Sequence, residues 1–148
     1  YGAIISGEHN FYITQKGKNE FHSGVANFTQ LWQLQNGKWK MTRILSYNHH
    51  EPRFQQTKKE IKLTAGQLDH FIGSYKSDQS GTMTVTRENN ILILSGGNNS
   101  FSLYPQTATS FFTRERNLIF EFLDDAAGKP YKMVVTENGN LADELLFT

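Results

Sequence analysis

Asn36-Gly37 stands between two stretches, ANFTQLWQLQ and KWKMTRILSYN, that alternate apolar and polar side chains. Both residues accept the positive φ of a two-residue type I′ turn, and this dipeptide between alternating runs is the strongest short-range hairpin signal. The turn also sets a register. Pairing Gln35 with Lys38 places Leu34 opposite Trp39, Trp32 opposite Met41, Gln30 opposite Arg43, Phe28 opposite Leu45 and Ala26 opposite Tyr47. Side chains alternate with period two, so all of these are expected on one face. That face is apolar except for Gln30 and Arg43, and it requires a cover.

Strand patterning dominates the rest of the chain. Before the hairpin, GAIISG and NFYITQ read as strands, with a turn at KGKNE. In EPRFQQTKKEIKL (51–63) Pro52 ends the hairpin, and 53–63 reads as a polar linker. TAGQLDHF then fits a capping box, Thr64 as N-cap and Gln67 three residues on, which predicts one short helix near 65–71. From GSYKSD onward, short alternating runs recur at roughly 8–12 residue intervals, the spacing of a small antiparallel barrel or sandwich. Their turns fall at Glu88-Asn89-Asn90, Gly128-Lys129-Pro130 and Asn138-Gly139. The expected architecture is mainly β, α+β at most, in two parts, 1–52 and 64–148.

Fifteen basic residues against fourteen acidic ones give no electrostatic footprint for nucleic acid or an anionic membrane. No apolar run approaches the ~18 residues a spanning helix needs. The lack of cysteine removes disulfides and thiolate metal sites, and it is compatible with cytoplasm, periplasm or an exterior. The chain opens on Tyr1 directly in strand-like sequence, from which an upstream segment is expected.

GKWKMTRILSYNHH, preceded by GVANFTQLWQLQN, resembles the end of a SnoaL-like or DUF4440-type domain of the NTF2-like superfamily. This implies the last strands of a curved antiparallel sheet, whose concave face such domains cover with N-terminal helices. From Leu68 onward the chain resembles the lipocalin-like β module that accompanies some β-lactamase-related and SnoaL-like proteins. The residues that carry this are Phe71, Gly73 and Tyr75 in FIGSY, Leu103 and Pro105 in LYP, FEFLDDAAGK and VTENG. The resemblance implies an accessory, non-catalytic role for that module.

The candidate chemistry lies on the hairpin. A pocket reading takes Trp32, Trp39 and Met41 as walls and Gln30 and Arg43 as polar anchors, because the guanidinium fork binds oxyanions bidentately. His49 and Tyr47, of the same parity, are the candidate acid or base. The plainer reading, an aromatic core face with a snorkelling Arg43, is favoured over it. His49 and His50 are adjacent and point to opposite strand faces, so the doublet cannot chelate one ion. No His-x-His or H-E-x-x-H spacing exists, and no metal site or cofactor is expected. The face carries no carboxylate for an isomerase-type base, and G-x-S-x-G, S-x-x-K, P-loop and dinucleotide motifs are absent. Asp124-Asp125 reads as a solvated turn, and Tyr75, Phe120 and Phe122 as barrel core. The leading expectation is a non-catalytic accessory or small-molecule-binding protein for an apolar or anionic ligand. The alternatives are an NTF2-like isomerase, cyclase or hydrolase whose acid or base lies partly outside this chain, and a homodimerisation module.

Overall fold

The computed structural model describes residues 1–148 and divides into two compact units, Tyr1–Arg53 and Phe54–Thr148. The first is a three-stranded antiparallel sheet, β1 (Gly2–Ile13), β2 (Phe21–Gln35) and β3 (Lys38–His50), with β2 at the centre. GAIISG and NFYITQ are thus one long strand rather than two. Asn36 and Gly37 take φ of 49° and 75°, the left-handed pair that joins β2 to β3 as the dipeptide predicts.

The second unit begins with an extended segment over 54–63, within the stretch expected to be a linker. It lies along the barrel wall: Ile61 N–H donates to Pro105 O at 2.9 Å, Gln56 Nε2 to Thr113 O, and Arg114 pairs with Glu60. The helix α1 (Ala65–Asp69) follows, with the capping box complete: Gln67 N–H donates to Thr64 Oγ1, and Gln67 Oε1 accepts from Thr64 N–H. Eight strands complete the unit: β4 (Gly73–Ser77), β5 (Gly81–Glu88), β6 (Ile91–Gly96), β7 (Asn99–Pro105), β8 (Ser110–Phe112), β9 (Leu118–Asp124), β10 (Pro130–Glu137) and β11 (Asn140–Phe147). Each pairs antiparallel with the next, and β11 returns to β4, so the strands form a closed up-and-down barrel. Closure removes both sheet edges and satisfies every strand laterally.

Alternation sends Met83, Val85, Leu92, Leu94, Leu103, Phe111, Phe120, Phe122, Met133, Val135 and Leu145 inward, into one continuous core. The two barrel ends differ. The turns β5–β6, β7–β8 and β9–β10 share one end with α1, which inserts Leu68 into the core, as the turn after it inserts Phe71 ahead of β4. There Phe71 stacks on Phe122 with ring centroids 4.6 Å apart, and Phe111 meets Phe122 edge-on at 5.5 Å. Aromatic pairs at such distances add about 0.5–1.5 kcal/mol beyond area burial. Arg87 pairs with Asp69, and His70 with Asp124 at 2.9 Å, tying the helix to β5 and β9. Asp124 is therefore bonded into the helix end, while Asp125 accepts from Ala127 and Lys129 N–H to close the β9–β10 turn.

Tyr75 is fully buried beside this cluster and donates its hydroxyl to Phe71 O at 3.0 Å. Burial pushes its phenol well above the ordinary range, with the Asp124 carboxylate adding to the effect. The folded-state pKa lies above the unfolded one, so this stability is fully present below pH ~10 and is lost as the pH rises beyond it. Urea unfolding followed by far-UV circular dichroism is expected to show an alkaline decline that becomes shallower in Tyr75→Phe. An identical slope in the two proteins would contradict the assignment.

Candidate functional site

The three-stranded sheet does not keep the register its turn begins. From the turn the pairing runs as expected, Leu34 with Trp39 and Trp32 with Met41. A bulge then places Thr42 as an extra residue on β3, and Leu31, not Gln30, faces Arg43. Thr42 stabilises this locally by donating its hydroxyl to Leu31 O at 3.1 Å. Gln30 instead faces Ile44, Phe28 faces Ser46, and Asn27 faces Tyr47. A second extra residue lies between Tyr47 and His50, where Asn48 has a φ of 55°.

Each shift by one residue moves the following side chains to the other face. Trp32, Trp39, Met41 and Gln30 share one face as expected, and the second shift returns His49 to it. Arg43 and Tyr47 lie on the opposite face with Leu31 and Thr29, so, contrary to expectation, Gln30 and Arg43 form no anchor pair and Tyr47 does not share the Trp32 face. Tyr47 Oη lies 3.4 Å from Thr29 Oγ1, which in turn is 3.0 Å from Ser6 Oγ. Gln30 Oε1 accepts from Trp32 Nε1 at 3.0 Å and is not a free anchor. Trp39, Met41, Arg43, Tyr47 and His49 are all exposed, so these residues line no enclosed cavity.

A deeper hollow, open at one end, exists in the barrel instead. At the end opposite α1, where the β4–β5, β6–β7, β8–β9 and β10–β11 turns gather, a cavity of about 380 Å³ opens into the interior. Its floor is apolar, built from the inward residues Met83, Leu94, Phe101, Leu118, Phe120 and Leu145. This end has no counterpart of the helix segment whose Leu68 and Phe71 fill the other end.

The rim is polar and ordered. Asp143 accepts from Ser77 Oγ at 2.8 Å and from Ser80 Oγ, with its other oxygen taking Glu144 N–H. Arg116 binds Glu137 through Nε and Nη2. Gln79 and Asn99 complete the mouth. No group of three or more His, Cys, Asp or Glu side chains is arranged to hold a metal.

Sequence reasoning missed this site because its residues come from six strands and their turns. The one available signal was the inward alternation of the second half, which reads as core whether or not the core is full.

The fold thus defines a mainly β protein with a closed eight-stranded antiparallel barrel and a separate three-stranded sheet. Comparison with known family models, characterised proteins and solved structures finds no significant match for the chain. No helix is long and apolar enough to cross a membrane.

The split of the hairpin residues between two faces is testable, because Trp32 and Trp39 are the chain's two tryptophans. Gln30→Leu removes the indole acceptor and is expected to shift the emission spectrum, at a cost of about 1 kcal/mol to the sheet. Arg43→Leu, on the other face, is expected to leave the emission unchanged. Equal shifts in the two variants would show that Arg43 does reach the tryptophan face.

Proposed function

We propose that this chain is a small-molecule-binding protein whose site is the open end of the barrel. The observation that carries the reading is the cavity of about 380 Å³ with an apolar floor and a polar rim. Ligand sites typically occupy ~300–1,000 Å³, with mainly apolar walls and a few convergent polar groups that fix orientation. The ligand class that suits this lining is a mainly apolar molecule with one polar or anionic end. The apolar part would lie against Leu94, Phe101, Phe120 and Leu145, with the polar end at Arg116 and the Gln79 and Asn99 amides. The lipocalin-like resemblance of this half is consistent with that use.

The test is titration of the full chain with 1-anilinonaphthalene-8-sulfonate, an apolar fluorophore bearing one sulfonate. Ala142→Trp, which fills the mouth, is expected to weaken the fluorescence-detected affinity at least tenfold, and Arg116→Gln severalfold. Unchanged affinity in Ala142→Trp would sink the proposal.

A second reading, dimerisation through the sheet, has its own support. Ile4 and Leu45 on one face are 72% and 67% exposed, and Trp39 and Ile44 on the other are about half exposed. Apolar surface on this scale commonly marks an interface. An NTF2-like enzyme reading has less support, since the Trp32 face carries no Asp or Glu to act as base. Light scattering is expected to give a dimer that Trp39→Lys converts to monomer, and a monomeric parent chain would rule this out.

A further inference from the structure

Two histidines from different strands meet on the Trp32 face of the sheet. His9, on β1, has Nε2 2.9 Å from Ser46 Oγ on β3, and His49 has Nε2 3.1 Å from the same oxygen. His9 reaches across the central strand to do this, because the residue it pairs with on β2 is the small, fully buried Ala26. Rings flank it on both sides. Phe11 lies 4.7 Å and Phe28 5.3 Å from the His9 ring, and Phe11 stacks near-parallel to His49 at 6.0 Å.

Small residues make this crowding feasible. Phe28 covers Gly7, where an added Cβ would stand 3.0 Å from its ring, and Phe11 covers Gly24. Both imidazoles are therefore oriented by packing as well as by the hydroxyl.

A serine hydroxyl has one proton and can donate to one ring, so the other ring must donate to it. Two imidazole nitrogens aimed at one oxygen form the ligand type that borderline divalent ions prefer, whereas magnesium and calcium take carboxylate and carbonyl oxygens. We propose that His9 and His49, with the Ser46 hydroxyl between them, bind one divalent transition-metal ion. The ion takes the bridging position now held by the hydrogen bonds, with nitrogen–metal distances near ~2.0–2.1 Å reached by small ring rotations and solvent filling the open positions. No third His, Cys, Asp or Glu joins the pair, so the protein supplies two imidazoles and one hydroxyl at most.

The other three histidines are engaged elsewhere and serve as internal controls. His22 stacks on Tyr12 and bonds Gly24 O, His50 bonds its own strand at Asn48 O, and His70 pairs with Asp124.

Calorimetric titration of the full chain with zinc and copper(II) chlorides reads the proposal directly. One equivalent of each ion is expected to bind, copper more tightly than zinc. His9→Asn and His49→Asn are each expected to weaken binding at least tenfold, and His22→Asn and His50→Asn to leave it unchanged. No binding, binding that survives loss of His9 or His49, or binding lost with His50 overturns the proposal. Ser46→Cys guards against variants that merely unfold: with tryptophan emission unaltered, cobalt(II) should produce a near-ultraviolet thiolate charge-transfer band. A folded Ser46→Cys protein without that band also overturns it.

Discussion

The seam between β11 and β4 is the constraint on which the larger unit depends. It is short: two register pairs, Leu146 with Lys76 and Phe147 with Tyr75, joined by Thr148 N–H donating to Ser74 O. Side chains strengthen what the ladder alone supplies. Gly73 has a φ of 154° and lies under the Phe147 ring, with no room for a Cβ, while Tyr75 meets that ring edge-on at 5.1 Å. At the other end of the same strand, Ser77 binds Asp143 of β11. Because the seam closes, the inward stripe of each strand finds partners all round, and the helix can act as a plug at one end. The cavity is what remains at the unplugged end.

The smaller unit depends on departures from regular pairing. Bulges twist a strand and re-aim its side chains, and β3 carries two irregularities within nine residues. The first removes Arg43 from the tryptophan face, and the second brings His49 back to it. Without them, the face would hold an arginine beside the indoles. With them it holds Ser46 between two imidazoles.

What could be read in the sequence was what local chemistry decides. Asn36-Gly37 and Asn138-Gly139 demand positive φ within the dipeptide itself, and the Thr64–Gln67 capping box closes within four residues, so turns and helix were visible without knowing the fold. The inward role of Tyr75, Phe120 and Phe122 followed from alternation alone. The bulge at Thr42 was not visible, because Thr42 is an ordinary strand residue whose hydroxyl finds its acceptor only across the sheet. His9 and His49 were likewise unconnected in sequence, since their meeting depends on Ala26 in the strand between them. The barrel cavity is the end of one core that no helix plugs, which no periodicity encodes.

The three methionines divide the molecule for the decisive measurement: Met83 lines the cavity, Met133 lies in the filled core and Met41 stands on the sheet. Carbon-13 methyl spectra of the methionine-labelled chain, titrated with a short alkyl sulfonate, report each place separately. The account predicts that the Met83 methyl shifts saturably while Met41 stays fixed. Saturable movement of Met41 with Met83 unmoved would place the ligand on the sheet and contradict it.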